Sequence, residues 1–107
     1  MEKYIHVITS TERKEDAERI AGILVEKRLA ACVQIIGPVT SIYWWKGKIE
    51  KAQEWLCLAK SVESLYGEIE SAIRDAHPYE TPEIIATPIL KGEKDYIEWI
   101  ENELKIT

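Results

Sequence analysis

The chain has 107 residues, enough for one domain with a modest core and no need of disulfides or a structural metal. Its formal net charge is −5 with a pI near 5.1, and its basic residues stand singly among acidic ones, which excludes the basic stripe that nucleic acid binding wants. No apolar run approaches the roughly 18 residues that span a bilayer and no charged-then-apolar leader opens the chain, so the expectation is a cytoplasmic protein with neither membrane nor nucleic acid as partner.

Taken in order, Lys3 to Ser10 reads as a strand, with Ile5 and Val7 on one face and Tyr4, His6 and Ile8 on the other. Thr9-x-x-Glu12 has the form of a capping box, and Arg13 to Arg28 carries Ala17, Ile20, Ala21, Leu24 and Val25 at helical spacing. Ala31 to Ser61 reads as one unusually long antiparallel hairpin turning about Lys46-Gly47-Lys48. Both of its faces are apolar. On the second arm Ile49, Trp55, Cys57 and Ala59 share one side and Ala52, Leu56 and Leu58 the other; on the first arm Tyr43 and Trp45 oppose Ile42 and Trp44. If the hairpin turns about Gly47, Cys57 falls opposite Gly37 and Cys32 lies five residues further out, roughly 17 Å away, so two buried thiols are expected rather than a disulfide.

Val62 to Ala76 repeats the amphipathic pattern through Leu65, Ile69, Ala72 and Ile73, with Ser61 as its cap. The two prolines of His77 to Pro82, HPYETP, forbid a helix and make an ordered loop. Glu83 to Leu90 reads as a last strand that Pro88 confines to a sheet edge or ends early, and Asp95 to Leu104 as a short helix that must dock to persist. Strand, helix, hairpin, helix, strand and terminal helix give an α+β domain over residues 1–107: a ferredoxin-like split β-α-β sandwich with a long central β-hairpin and a short C-terminal helix. That architecture covers one sheet face with helices. The other face is apolar here, and the economical cover is another copy of the same chain, with Tyr43, Trp44, Trp45 and Trp55 as interface residues.

Four segments, LAAC at Leu29 to Cys32, the S-x-Y-x-W-x-G run from Ser41 to Gly47, HPYETPEI from His77 to Ile84, and Tyr96 to Trp99, closely resemble the CutA family, named for divalent-cation tolerance. The resemblance covers essentially the whole chain. It implies a ferredoxin-like fold assembled as a homotrimer, similar in architecture to PII signalling proteins, a link to copper and other divalent metals, and no enzyme activity. In the best-known bacterial pattern the copper ligands are a cysteine near the end of the first strand and two consecutive histidines heading the HPY motif; this chain has Thr9, Ala76 and His77 at those positions. One of the three remains, and one imidazole with carboxylates is a looser copper site than a thiolate with two imidazoles. The metal expectation therefore centres on His77 with Glu80 or Glu83 beside it, and no required cofactor beyond a divalent cation such as Cu2+.

Plainer roles stand beside these. His77 before Pro78 can meet the free carbonyls at the end of the preceding helix, and His6 and Cys32 fit a core or interface. Tyr79, Glu80 and Glu83 are less explained by packing: a loop stiffened by two prolines that presents a phenol and two carboxylates suits a ligand-binding cleft, and Lys60 at the end of an otherwise apolar strand is a candidate to face it. G-x-G-x-x-G, the P-loop, C-x-x-C and H-E-x-x-H are all missing. The first functional reading is a non-enzymatic homotrimer that binds a metal ion or small molecule between subunits. The alternatives are a small hydrolase or isomerase using Glu80 or Glu83 with His77, and a trimeric scaffold for a protein partner.

Overall fold

A computed structural model of the chain describes residues 2–105. Its elements are β1 (Tyr4–Thr11), α1 (Lys14–Glu26), β2 (Cys32–Trp45), β3 (Lys48–Val62), a 3-10 turn (Glu63–Leu65), α2 (Tyr66–Ala76), β4 (Ile85–Pro88) and α3 (Lys94–Glu103). The four strands form one antiparallel sheet in the order β2-β3-β1-β4, which is the ferredoxin-like arrangement expected from the element order.

Helices α1 and α2 lie on one face of this sheet. Val7 and Ala59 meet Ile20 and Leu24 of α1 and Ile69 and Ile73 of α2 in one core, and the Cys57 thiol donates to the Ala17 carbonyl at 3.5 Å. Burial pushes that thiol up to about 11, so it stays protonated at neutral pH. The helix starts differ from the sequence expectation. Thr9 belongs to β1 and caps nothing, because its alternation turns it into the buried helix-side layer, and Arg13 occupies the N-cap of α1 without a side-chain capping bond. Ser61 likewise does not cap α2: its buried hydroxyl donates to the Leu29 carbonyl at 2.6 Å, and the 3-10 turn intervenes before the helix. At α3 the cap is Glu93, whose carboxylate accepts from the backbone N–H groups of Asp95 and Tyr96.

The hairpin turns through two residues, Lys46 (φ 50) and Gly47 (φ 81), the doubly positive geometry that matches the twist of paired strands. A register shift between Ile36 and Val39, spanning the cis Gly37-Pro38 bond, moves the pairing so that Cys57 faces Ile35 rather than Gly37. Cys32 then faces Lys60, three residues away along the ladder, roughly 10 Å and still beyond bridging distance. Both thiols are free, but only Cys57 is fully buried; Cys32 is half-buried, because it belongs to the sheet face away from the helices.

That bulge also reverses which β2 residues face which side. The open face carries Cys32, Gln34 and Ile36 before it and Val39, Ser41, Tyr43 and Trp45 after it, alongside Ile8, Leu56 and Leu58. The helices stop short of the hairpin's far half. Ile42, Trp44 and Ile49, on the helix-side face there, are 67%, 72% and 64% exposed, and the overhang stretches the molecule to 44 × 25 × 21 Å.

Candidate functional site

The segment after α2 is anchored by His77. Its backbone N–H bonds the Ile73 carbonyl at the end of α2, while its ring leaves that helix: Nε2 lies 2.7 Å from the Ser10 carbonyl on β1, and the Tyr79 N–H donates to Nδ1 at 3.1 Å. An Nδ1 that accepts and a carbonyl opposite Nε2 leave one neutral tautomer, with the proton on Nε2. Burial lowers the imidazole's pKa against the opposing pull of the Ser10 carbonyl, which keeps the ring neutral. His77 is thus a buried clamp between β1 and the loop, 9% exposed, with neither nitrogen free.

The clamp aims Tyr79 at the open sheet face. Its hydroxyl donates to Glu54 Oε2 at 2.8 Å, and the Ser10 hydroxyl approaches the same oxygen at 3.4 Å. Glu54 is 8% exposed, an uncommon position for a carboxylate, and this pair of hydroxyls offsets part of its lost hydration. Burial and the neighbouring Glu54 raise the Tyr79 phenol, which therefore remains a donor. Partial burial, then the charge of Glu54, raise the Glu83 carboxyl above its ordinary value.

Between loop and hairpin lies a cleft of about 600 Å³. Ser41, Tyr43, Trp44 and Trp45 line it from β2, and the stretch from Tyr79 to Glu83 lines it from the loop. Glu12 and Glu54 bring two more carboxylates, and among the described residues no lysine, arginine or histidine lines it. Such a wall attracts cations and offers ring faces to whatever accompanies the charge.

The fold brings Tyr79, Glu80 and Glu83 together with Tyr43, Trp44 and Trp45, as loop and hairpin tip converge. It does not bring Lys60 there. Lys60 lies near the other end of the open face, its Nζ 2.8 Å from the Tyr96 hydroxyl and above that ring, so its assignment to the cleft is corrected. Trp55 is half-buried within the chain, beneath Lys14 and against the Gly37 backbone. Sequence reasoning missed Glu54 and Ser10. A signal for Glu54 existed: it shares the alternation of Ala52, Leu56 and Leu58, so it is an acid on an apolar face rather than part of a wet one.

The residues at the copper positions do not fit a copper centre. Thr9 offers only a hydroxyl, buried on the helix side without a hydrogen-bond partner; Ala76 offers no ligand; His77 has its lone pair committed to the Tyr79 N–H. Among the described residues no group of three or more His, Cys, Asp or Glu gathers as a metal would require.

Comparison with known proteins places this geometry. The family model of the CutA1 divalent ion tolerance protein matches residues 5–103. The divalent-cation tolerance protein CutA of Thermus thermophilus is 40% identical over 94 residues, covering 88% of this chain and 91% of that protein. The human protein CutA is 48% identical over 84 residues, 78% of this chain, and the chain spans only 47% of that protein's length, as it spans 57% of the chloroplastic CutA 1 of rice. Among solved structures, CutA1 from Oryza sativa superposes with a TM-score of 0.94 at 36% identity, covering 98% of this chain and 96% of that one. With the family's model matched across nearly all of its length and the same fold in relatives of this similarity, the chain belongs to the CutA divalent-ion tolerance family.

Proposed function

We propose that this CutA-family chain is a non-catalytic homotrimer that binds a cation in the cleft between its hairpin and the loop after α2, with a neighbouring copy packed against the hairpin and the open sheet face. The observation that carries this reading is the cleft: carboxylates and aromatic rings, with no cationic side chain, on the sheet face that α1 and α2 leave uncovered. The family's description as divalent ion tolerance proteins agrees with a cationic ligand. Absence of catalysis is supported by His77, the imidazole beside the cleft's loop, whose two nitrogens are tied to Ser10 and Tyr79 and are not free to move a proton for a substrate. Assembly is supported by Ile42, Trp44 and Ile49, large apolar side chains that a solitary chain leaves in water.

Copper(II), the ion that the family resemblance implies, would meet oxygen donors in this cleft, a harder ligand set than a thiolate with imidazoles. A titration of the protein with Cu(II) against a competing chelator tests the reading. Binding weakened by Glu83→Gln and untouched by His77→Ala is the expected result. Loss of binding on His77→Ala with no effect of Glu83→Gln would instead locate the ion at the imidazole and overturn it.

A further inference from the structure

The composition of the cleft says more about its ligand than its charge does. Its volume of about 600 Å³ is the size of a small-molecule site, far larger than a bare ion needs. Its carboxylates line the cavity, yet among the described residues no three of them gather into a metal-holding group, and no His or Cys joins the lining. One of the acids, Glu54, is held by the Tyr79 hydroxyl with Ser10 close by, which orients it and leaves its other oxygen without a side-chain partner. Separated negative charges joined by ring surface from Tyr43, Trp45 and Tyr79 complement a chain of positive charges separated by methylenes. Each ammonium brings three donors to a carboxylate and is attracted to a ring face, while the methylenes remove apolar surface from water.

We propose that the cleft binds an aliphatic polyamine, its ammonium groups on Glu54 and Glu83 and its methylene chain along Tyr43 and Trp45. This rests on the cleft reading above and names its ligand class. A positive charge beside Glu83 acts against the burial and the Glu54 charge that raise its carboxyl. The opposite polarity, an anionic ligand, would meet four carboxylates and no cation.

The test is calorimetric titration of the assembled protein with spermidine, and separately with Mg(II) and Cu(II), at about 150 mM salt so that loose attraction to a net charge of −5 is screened. The expected result is saturable spermidine binding with one site per chain, tighter than Mg(II), and weakened about tenfold or more by Glu83→Gln. Glu83→Gln should fold, since Glu83 lies exposed on the loop and the substitution keeps its size. Cu(II) or Mg(II) bound in a Glu83-dependent way with no spermidine binding would overturn the polyamine and leave the cation cleft standing. Spermidine binding indifferent to Glu83→Gln would also overturn it, as surface attraction. No binding of any of the three would remove both readings.

Discussion

Glu83 shares the cleft with Glu54, and its protonation is legible as stability. The Glu83 carboxyl is raised in the folded chain above its value of 4.5 in a free side chain, by partial burial first and by the charge of Glu54 second. The folded state therefore holds this proton more tightly than the unfolded chain does. Below the ordinary carboxylate range both states are protonated and nothing is lost; as pH rises through the raised value, ionisation costs the folded state more, and stability falls. Glu83→Gln removes that cost. Thermal melts should show the variant more heat-resistant than wild type at pH 7 and indistinguishable from it near pH 4, and a variant less stable at pH 7 would contradict the placement of Glu83 beside Glu54. At this scale the sequence was partly readable. Tyr79, Glu80 and Glu83 stood out because a proline-stiffened loop has no packing reason to present them. His77 misled, because a histidine heading a loop looks available, and only the three-dimensional approach of Ser10 and the Tyr79 N–H consumes both of its nitrogens. Lys60 misled for the complementary reason: alternation gives its face but not its distance along the strand from the loop.

The hairpin of β2 and β3 is the element on which the site depends, and its shape turns on Gly37. A Cβ there would lie 2.5 Å from Trp55 Cε3 and 2.8 Å from Cδ2, closer than packed atoms approach, and the nearest backbone atom, the Glu54 carbonyl, is 3.1 Å away. Gly37→Ala should cost about 1–3 kcal/mol in denaturant unfolding, since the indole has to leave its place between the bulge and Lys14. A neutral result would mean that Trp55 is not seated against this backbone. Strand type, the two apolar faces and the edge position of β4 followed from alternation and from Pro88. Gly37-Pro38 marked where a bulge could sit but not that one was there, because one inserted residue changes nothing in composition while reversing every side chain beyond it. That reversal puts Ser41, Tyr43 and Trp45 on the open face with Glu54, so the cleft itself was hidden in a register detail.

For the whole molecule, one side of the sheet is sealed by α1 and α2, while α3 reaches only one end of the other through Tyr96 to Lys60 and through Glu101 to Tyr4. Ile8, Leu56 and Leu58 are only half-covered, and the overhanging hairpin holds Ile42, Trp44 and Ile49 well outside any core of the single chain. In the proposed trimer, neighbouring copies of the chain would cover these surfaces without any new fold. Trp44, at 72% exposure, belongs to no core within one chain, so Trp44→Asp should leave the fold of a protomer nearly unchanged. In an assembly the same change places an unpaired charge in an apolar contact, at a cost of several kcal/mol per interface. Sedimentation equilibrium of the wild type beside Trp44→Asp at micromolar concentration tests this most directly. The wild type should have the mass of three 12.3 kDa chains, with the variant dissociated yet retaining its secondary structure. A monomeric wild type, or a variant that sediments as wild type does, would contradict it.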